Sequence, residues 1–501
     1  MVCLSQILFP IKKTYLCLKF SNLMNRSFFL NILFLIFVNV LIKPFYIFGI
    51  DRTIQNVVGT DQYGLYVTLI NFTFLLQIIN DFGIQNFNSR NISQHRHLIH
   101  KYFPNIIITK LFLTISYSII TIVLAIVFGY KAYLFPFLTF MILNQVLISM
   151  IFFLRSNVAG LGFYKIDSLF SVIDRLLLII ICSILLWHPF FKGQFKIEWL
   201  IYAQSTTLFI TAMIVFLFIR KHIHGLKFKF KKVFIFLILK RSAPYALLIL
   251  MMTIYTRMDT LMIDQLLPDG KHQNGIYGAG YRLLDAVNML GFLFAGLLLP
   301  MFARLIKENQ GEIISLLRFS FHTIMSIAIP ISISVYFFRN EIAHLLYVDA
   351  TAYWGNVLGV LILTFMMSTT IYIYSTLLTA HGSIKKMNQV FVVGIFLNFI
   401  LNYFLILEHK ALGASIATLI TQFVMAIAMI GLSKSTFSIP FDLKLTLRFF
   451  TFLSIVTGSI YYISLQGFDW RLLFFISLLV GGMMAFVTKM INFQYLKTFL
   501  K

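Results

Sequence analysis

Acidic residues are scarce in this chain of 501 residues: 17 Asp and Glu stand against 41 Lys and Arg, and all charged residues together make up only 12%. A soluble chain of this length needs far more charge on its surface, and no polar stretch is long enough for a separate soluble domain. The three cysteines, Cys3, Cys17 and Cys182, are too few and too scattered for a disulfide framework or a metal set. The phosphate-binding pattern GxxxxGK[ST] does not occur, so transport or chemistry driven by a nucleotide on this chain is not expected. "HRHLIH" (His95, His97, His100) has metal-like spacing, but no cysteine or acid accompanies it on a basic segment. "GIYGAG" follows no strand, so it is not a dinucleotide fingerprint. Neither cofactor nor metal is expected.

What is present is apolar length. Hydrophobic residues make up 59% of the chain, aromatics 17%, and the mean hydropathy is +0.89. Apolar runs of membrane-spanning length recur from end to end. They place spans at 27–50, 65–83, 103–129, 132–154, 166–188, 198–219, 242–267, 276–300, 319–338, 352–380, 388–407, 411–431, 449–465 and 472–487. The expected fold is an all-α polytopic membrane protein of about 14 helices. Residues 1–23 have a short apolar run without a small-residue cleavage site and read as an extension ahead of a natural start at Met24.

Charge bias tests this map, because cytoplasmic loops collect Lys and Arg. With both termini placed inside, 28 of the cations fall in cytoplasmic segments, 8 in outer loops and 5 within spans. The acids divide as 4, 8 and 5, counting the span-edge residues Asp167 and Glu198 with their adjoining loops. The whole net charge of +24 therefore lies on one side. That segregation also accounts for the pI near 9.8 without nucleic acid as a partner. The most basic segment, 220–241, suits anionic lipid heads and separates six spans from eight.

Two segments echo each other. "GTDQYGLYVTLINFTFLLQIINDFGIQNFNSR" (59–90) and "HQNGIYGAGYRLLDAVNMLGFLFAGLLLPMFAR" (272–304) each open with Gly-apolar-Tyr and close with Arg. They begin spans two and eight in the same direction, which is a parallel repeat. The expected organisation is an N-lobe (24–220), a basic linker (221–241), a C-lobe (242–433) and two further C-terminal spans (434–501), with a central cavity between the lobes.

The segment 59–90, together with "RMDTLMIDQLLPDG" and "GIYGAGYRLLD", resembles the polysaccharide synthase or O-antigen flippase family of the multidrug, oligosaccharidyl-lipid and polysaccharide exporter superfamily. The resemblance implies a bacterial inner-membrane flippase and not an enzyme. Its substrate would be a polyprenyl-pyrophosphate-linked glycan, moved by alternating access from the cytoplasmic to the outer leaflet for surface polysaccharides such as lipopolysaccharide O-antigen. Membrane lipids, H⁺ or Na⁺, and polysaccharide assembly proteins are the other partners it suggests. The alternatives are a cation-coupled multidrug exporter of the same superfamily, and a membrane glycan polymerase or glycosyltransferase. The first calls for acids facing its drug; the second calls for larger outer loops.

Charges inside spans mark candidate sites, since each costs roughly 2.5–3.5 kcal/mol at a helix centre on an insertion scale. At about 1.5 Å rise per residue, Lys43 and Arg257 lie roughly 22–24 Å up from the cytoplasmic ends of spans one and seven, and Arg282 about 9 Å below the outer end of span eight. These three cations share a level, which suits a pyrophosphate leaving water. Lys110 and Arg175, about 10–13 Å from the cytoplasmic side, and Arg90 at the rim form a lower tier. Local pairing is the alternative: Arg282 with Asp285, Arg257 with Asp264, Arg175 with Asp174. Asp259 faces away from Arg257 by about 200° and is a candidate ion-coupling carboxylate. Pro44 beside Lys43 removes a helical hydrogen bond, a candidate hinge for gating.

Reporter fusions test the orientation. Fusions after Lys232 and Lys386 are expected to read cytoplasmic and one after Lys271 external; an external signal at Lys232 overturns the map.

Overall fold

The computed structural model describes residue 39 and residues 41–490, apart from 86, 89–91, 93–98, 192, 223–231, 309–310 and 441. Among them the chain is helical throughout. A π-helical turn at Tyr46–Asp51 leads into α1 (Arg52–Val58), α2 (Thr60–Leu75) and α3 (Gln77–Asp81). The N-lobe continues through α4 (Ile99–Val127), α5 (Phe135–Gly160), α6 (Tyr164–Phe170), α7 (Ile173–Trp187) and α8 (Ile197–His222). The C-lobe holds α9 (Lys232–Leu266), α10 (Gly270–Glu308), α11 (Gly311–Phe337), α12 (Arg339–Leu346), α13 (Ala352–His381) and α14 (Ile384–Phe437). Then come α15 (Leu443–Ser464) and α16 (Trp470–Val487).

Eleven stretches among the described residues are long and apolar enough to cross a membrane. One of them, α14, is 54 residues long but is broken at Lys410, whose φ of 55° and ψ of −131° are not helical. It is therefore two spans, as the polar triplet Glu408–Lys410 signals. Gly413 makes the reversal possible: a Cβ there would lie 1.9 Å from the Leu405 carbonyl oxygen. Lys410 Nζ also bonds Asp269 at 2.8 Å, which holds that carboxyl below the usual carboxylate range. The 35-residue α9 supplies another helix of spanning length, and most of the expected first span lies outside the described residues. The result matches the expected layout of about 14 helices.

Three boundaries differ from the sequence reading. The end of the expected linker, from Lys232 onward, is helical and continuous with α9. Span five is interrupted at Ser171 and Val172, between α6 and α7. Span two bends at Leu76, where α2 gives way to α3.

Each lobe has its own apolar core: residues such as Tyr117, Met141 and Leu200 in the first, and Ile263, Val357 and Phe365 in the second. The lobes meet where α2 crosses α10, at the end that the charge bias assigns to the outside. Small residues decide how closely they approach. A Cβ on Gly64 would fall 1.8 Å from the Lys271 carbonyl oxygen, and one on Gly275 2.3 Å from that of Thr60. Gly278 sits against Val67, while Gly280 faces Leu358 and Leu361 of α13. "GIYGAG", unexplained as a sequence motif, is thus a packing stripe. Hydrogen bonds reinforce the closure: Gln55 Nε2 donates to the Gly275 carbonyl at 3.1 Å, and Asn56 Nδ2 to that of Leu346 at 2.9 Å.

Gly64→Ala is expected to force this end apart, because the added methyl meets backbone and not a movable side chain. Labelling of a Val67→Cys reporter, buried against Gly278 across the same contact, by a membrane-impermeant maleimide should rise several-fold. Unchanged labelling would show that the closure absorbs the methyl.

Candidate functional site

Between the lobes lies a cavity of three joined compartments, of about 190, 280 and 310 Å³. Gln145, Arg175 and Arg282 line both the first and the second. Lys43, Asp174 and Arg175 line both the second and the third. Arg175 therefore borders all three. Compartments at the small end of ordinary ligand sites, roughly 300–1,000 Å³, suit a headgroup and its immediate neighbour.

Arg257 projects from α9 into the first compartment. Its guanidinium lies 5.2 Å from the Phe74 ring and 5.6 Å from that of Tyr281, and it donates to Asn71 Oδ1 at 3.3 Å. Phe74 and Asn71 belong to α2, so this cation bridges the lobes. No carboxylate pairs with it among the described residues, and its Nε is buried without a partner. Asp264, its expected helical partner, instead accepts from Tyr130 Oη at 3.4 Å. Cation–π contact replaces part of the lost hydration, and the fork keeps free donors for an anion.

Arg282 has a different environment. Its Nε lies 2.9 Å from Asp51 Oδ2, and the i, i+3 acid Asp285 is 4.0 Å away. Asp51, only 1% exposed, also accepts from Tyr63 Oη at 2.6 Å and Tyr46 Oη at 3.5 Å. This acid was assigned to an outer loop on sequence, yet it is the strongest partner of the site. The π-turn is the reason. Five residues at the α-helical pitch put Tyr46 and Asp51 about 140° apart, whereas i→i+5 bonding stacks them on one side. Pro44, just upstream, lacks the N–H that a regular ladder would use, so the expected irregularity takes the form of a wide turn. Only a proline followed by a buried Tyr-x₄-Asp hinted at it.

The lower tier divides. Arg175 stands at the compartments' junction, 3.5 Å from Asp174 and 5.0 Å from the Tyr46 ring. Lys43, expected level with Arg257 and Arg282, instead borders the second and third compartments beside Arg175 and does not line the compartment that holds Arg257. Lys110 is not among the residues lining any of the three; it is buried, 3.0 Å from Asp81 and 2.6 Å from Ser149 Oγ. The structure thus brings Lys43, Arg175, Arg257 and Arg282 together and leaves Lys110 in an intralobe ion pair. Arg90 lies outside the described residues. Asp259 is on the far side of α9, buried in the C-lobe, where Tyr277 Oη and Thr418 Oγ1 donate to Oδ2 and Asn402 Nδ2 to Oδ1, each at 2.6 Å. No cation pairs with it among the described residues.

The sequence matches the polysaccharide biosynthesis protein family over residues 28–306, more than half of the chain. The chain belongs to that family. A comparison with curated protein sequences returns no match. Among solved structures, this family member is similar to the lipid II flippase MurJ in an inward closed conformation, with a TM-score of 0.66 and 16% identity over 95% of this chain and 99% of that one. It is also similar to an inward-facing multidrug resistance transporter of the MATE family of the MOP superfamily, with a TM-score of 0.61 and 14% identity over 80% and 98%. A MOP superfamily transporter from Pyrococcus furiosus, described by the reverse polarity of its binding pocket, gives 0.56 and 14% over 81% and 94%. At such identities the likeness is one of fold: this is a multi-pass membrane protein with the architecture of those transporters.

The two arginines are expected to behave differently when truncated. Arg282→Ala leaves Asp51 buried without its cation and should destabilise the protein by roughly 3–5 kcal/mol, with Asp51→Asn restoring much of the loss. Arg257→Ala breaks no ion pair among the described residues and should cost clearly less stability than Arg282→Ala, read as thermal unfolding in detergent. Equal losses would place Arg257 in an ion pair as well.

Proposed function

We propose that this protein is a flippase for polyprenyl-pyrophosphate-linked oligosaccharide units, carrying them from the cytoplasmic to the outer leaflet for surface polysaccharide biosynthesis by alternating access. The observation that carries the reading is Arg257: a half-buried guanidinium lining the cavity, in no ion pair with a carboxylate among the described residues and with an orphan Nε. An unpaired cation in a membrane bundle is costly, and a diphosphate is the chemistry that offsets the cost, since it accepts several charge-assisted bonds at once. Membership of a polysaccharide biosynthesis family and a fold similar to a lipid II flippase support the same substrate class.

The compartments give the anion a route. Lys43 and Arg175 border the lower two, Arg175 and Arg282 the upper two, and Arg257 closes the series. A diphosphate passing upward exchanges one cation for the next and is not left bare at any step. Arg282 is held by Asp51 until the anion arrives, and competition between carboxylate and diphosphate would loosen the outer closure only when cargo is aboard. Pro44 and the π-turn beside it supply the bend for that movement. Asp259 is the coupling group in this scheme. Three donors hold its carboxylate within the C-lobe and no cation pairs with it among the described residues, so H⁺ or Na⁺ taken up there would set which lobe arrangement is favoured. The cationic lining argues against a cation-selective drug exporter.

In cells lacking the gene, wild-type protein should restore surface glycan, and Arg257→Ala at normal abundance should fail to, with lipid-linked units accumulating inside. Arg257→Lys should restore part of the export, because a point charge still holds phosphate without the fork. Export unaffected by Arg257→Ala would remove this cation from the substrate path. Asp259→Asn should keep binding of a polyprenyl diphosphate while abolishing any dependence of transport on H⁺ or Na⁺; retained dependence assigns coupling elsewhere.

A further inference from the structure

We infer that Asn144 and Gln145 of α5 read the first sugar attached to the diphosphate, and so set which glycan the protein accepts. The inference deepens the flippase reading above and rests on its assignment of the cations to the diphosphate.

Gln145 is 2% exposed and lines the first two compartments beside Arg175 and Arg282, yet its Oε1 has no hydrogen-bond partner. Its neighbour Asn144, 4% exposed, lines the second compartment. Asn144 Oδ1 accepts from Ser205 Oγ at 2.6 Å, which fixes the amide, while its Nδ2 is left unpartnered. Buried polar atoms are nearly always paired, because an unmade bond forfeits the hydration given up on burial. Orphans elsewhere, such as Asn274 Oδ1 and Ser334 Oγ, belong to residues that line none of the three compartments. On the cavity wall the orphans are Arg257 Nε, Gln145 Oε1 and Asn144 Nδ2.

The chemistry of these atoms separates their ligands. Arg257 is a donor and suits phosphate. Gln145 Oε1 is an acceptor, and it requires a donor from whatever enters. An ionised diphosphate ester has no donor, and neither has a polyprenyl chain. Within a lipid-linked glycan only the sugar's hydroxyl or amide groups can supply one. A sugar hydroxyl both donates and accepts, so the adjacent pair of one free acceptor and one free donor matches a sugar edge. Shared lining by Arg175 and Arg282 puts this wall next to the phosphate cations, where the sugar bonded to the diphosphate would lie.

Binding of three probes to the purified full-length protein tests the assignment: farnesyl diphosphate, and the same diphosphate ester carrying one hexose or one N-acetylhexosamine. At least one sugar-bearing probe is expected to bind about tenfold more tightly than the bare one, as befits two added neutral hydrogen bonds. Gln145→Met, similar in length but without the acceptor, should bind the bare probe like wild type and lose most of the sugar gain. Asn144→Leu should do the same; if it fails to fold, Gln145→Met decides. A gain that survives Gln145→Met, or no gain with either sugar, overturns the inference. Loss of bare-probe binding in Arg257→Ala tests the phosphate reading separately. If that loss is absent while the sugar gain still depends on Gln145, the diphosphate assignment fails and the sugar wall stands.

Discussion

A charge cannot be left alone in a slab of hydrocarbon, and the way each in-span charge escapes that condition organises this protein. Lys110 is neutralised inside the N-lobe by Asp81 and Ser149. Arg282 reaches across the lobes to Asp51. Asp259 is wrapped by three hydroxyl and amide donors. Arg257 has aromatic faces and one amide, and forms no ion pair among the described residues. The first and third arrangements lie within a lobe and hold it together. The second and fourth cross the cavity, and they depend on how the lobes stand to one another.

This division links energetics to movement. In the proposed flippase, interactions confined to a lobe would survive rocking of one lobe against the other, whereas interactions across the cavity would have to be exchanged in each cycle, with partners that a group of the cargo can replace. Asp51 is such a partner for Arg282, because a carboxylate and a phosphate present similar acceptor oxygens. The glycine contacts of α2 and α10 add close fit to this end, and hydrogen bonds from Gln55 and Asn56 to the Gly275 and Leu346 carbonyls tie it further.

The fold accommodates very different cargoes, since solved structures of similar architecture include a lipid II flippase and a multidrug resistance transporter. What distinguishes this chain within that architecture is the side chains facing the cavity: cations where a cationic drug would need acids, and amides on α5 beside them. Architecture supplies two lobes and a path, and the lining supplies the substrate.

The sequence by itself determined the all-helical membrane class and nearly all of the spans, because insertion depends on apolar length and charge segregation, and both are local properties of a chain. It also singled out Lys43, Arg175, Arg257 and Arg282 as in-span cations, since charge within an apolar run is visible residue by residue. It set Lys43 level with Arg257, however, whereas Lys43 lines compartments with Arg175 and not with Arg257. It could not assign their partners. Depth leaves the rotation of each helix and the lateral neighbour undetermined, so pairing of Arg257 with Asp264 stayed open as an alternative that the structure does not show, and Lys110 read as a cavity residue when it is bonded to Asp81. Asp51 was hidden for another reason: its position depends on a π-turn, and α-helical periodicity points it the wrong way. The orphan amides of Asn144 and Gln145 were legible only once the lobes were packed, because whether a polar atom has a partner is a property of the assembled bundle and not of the helix that carries it.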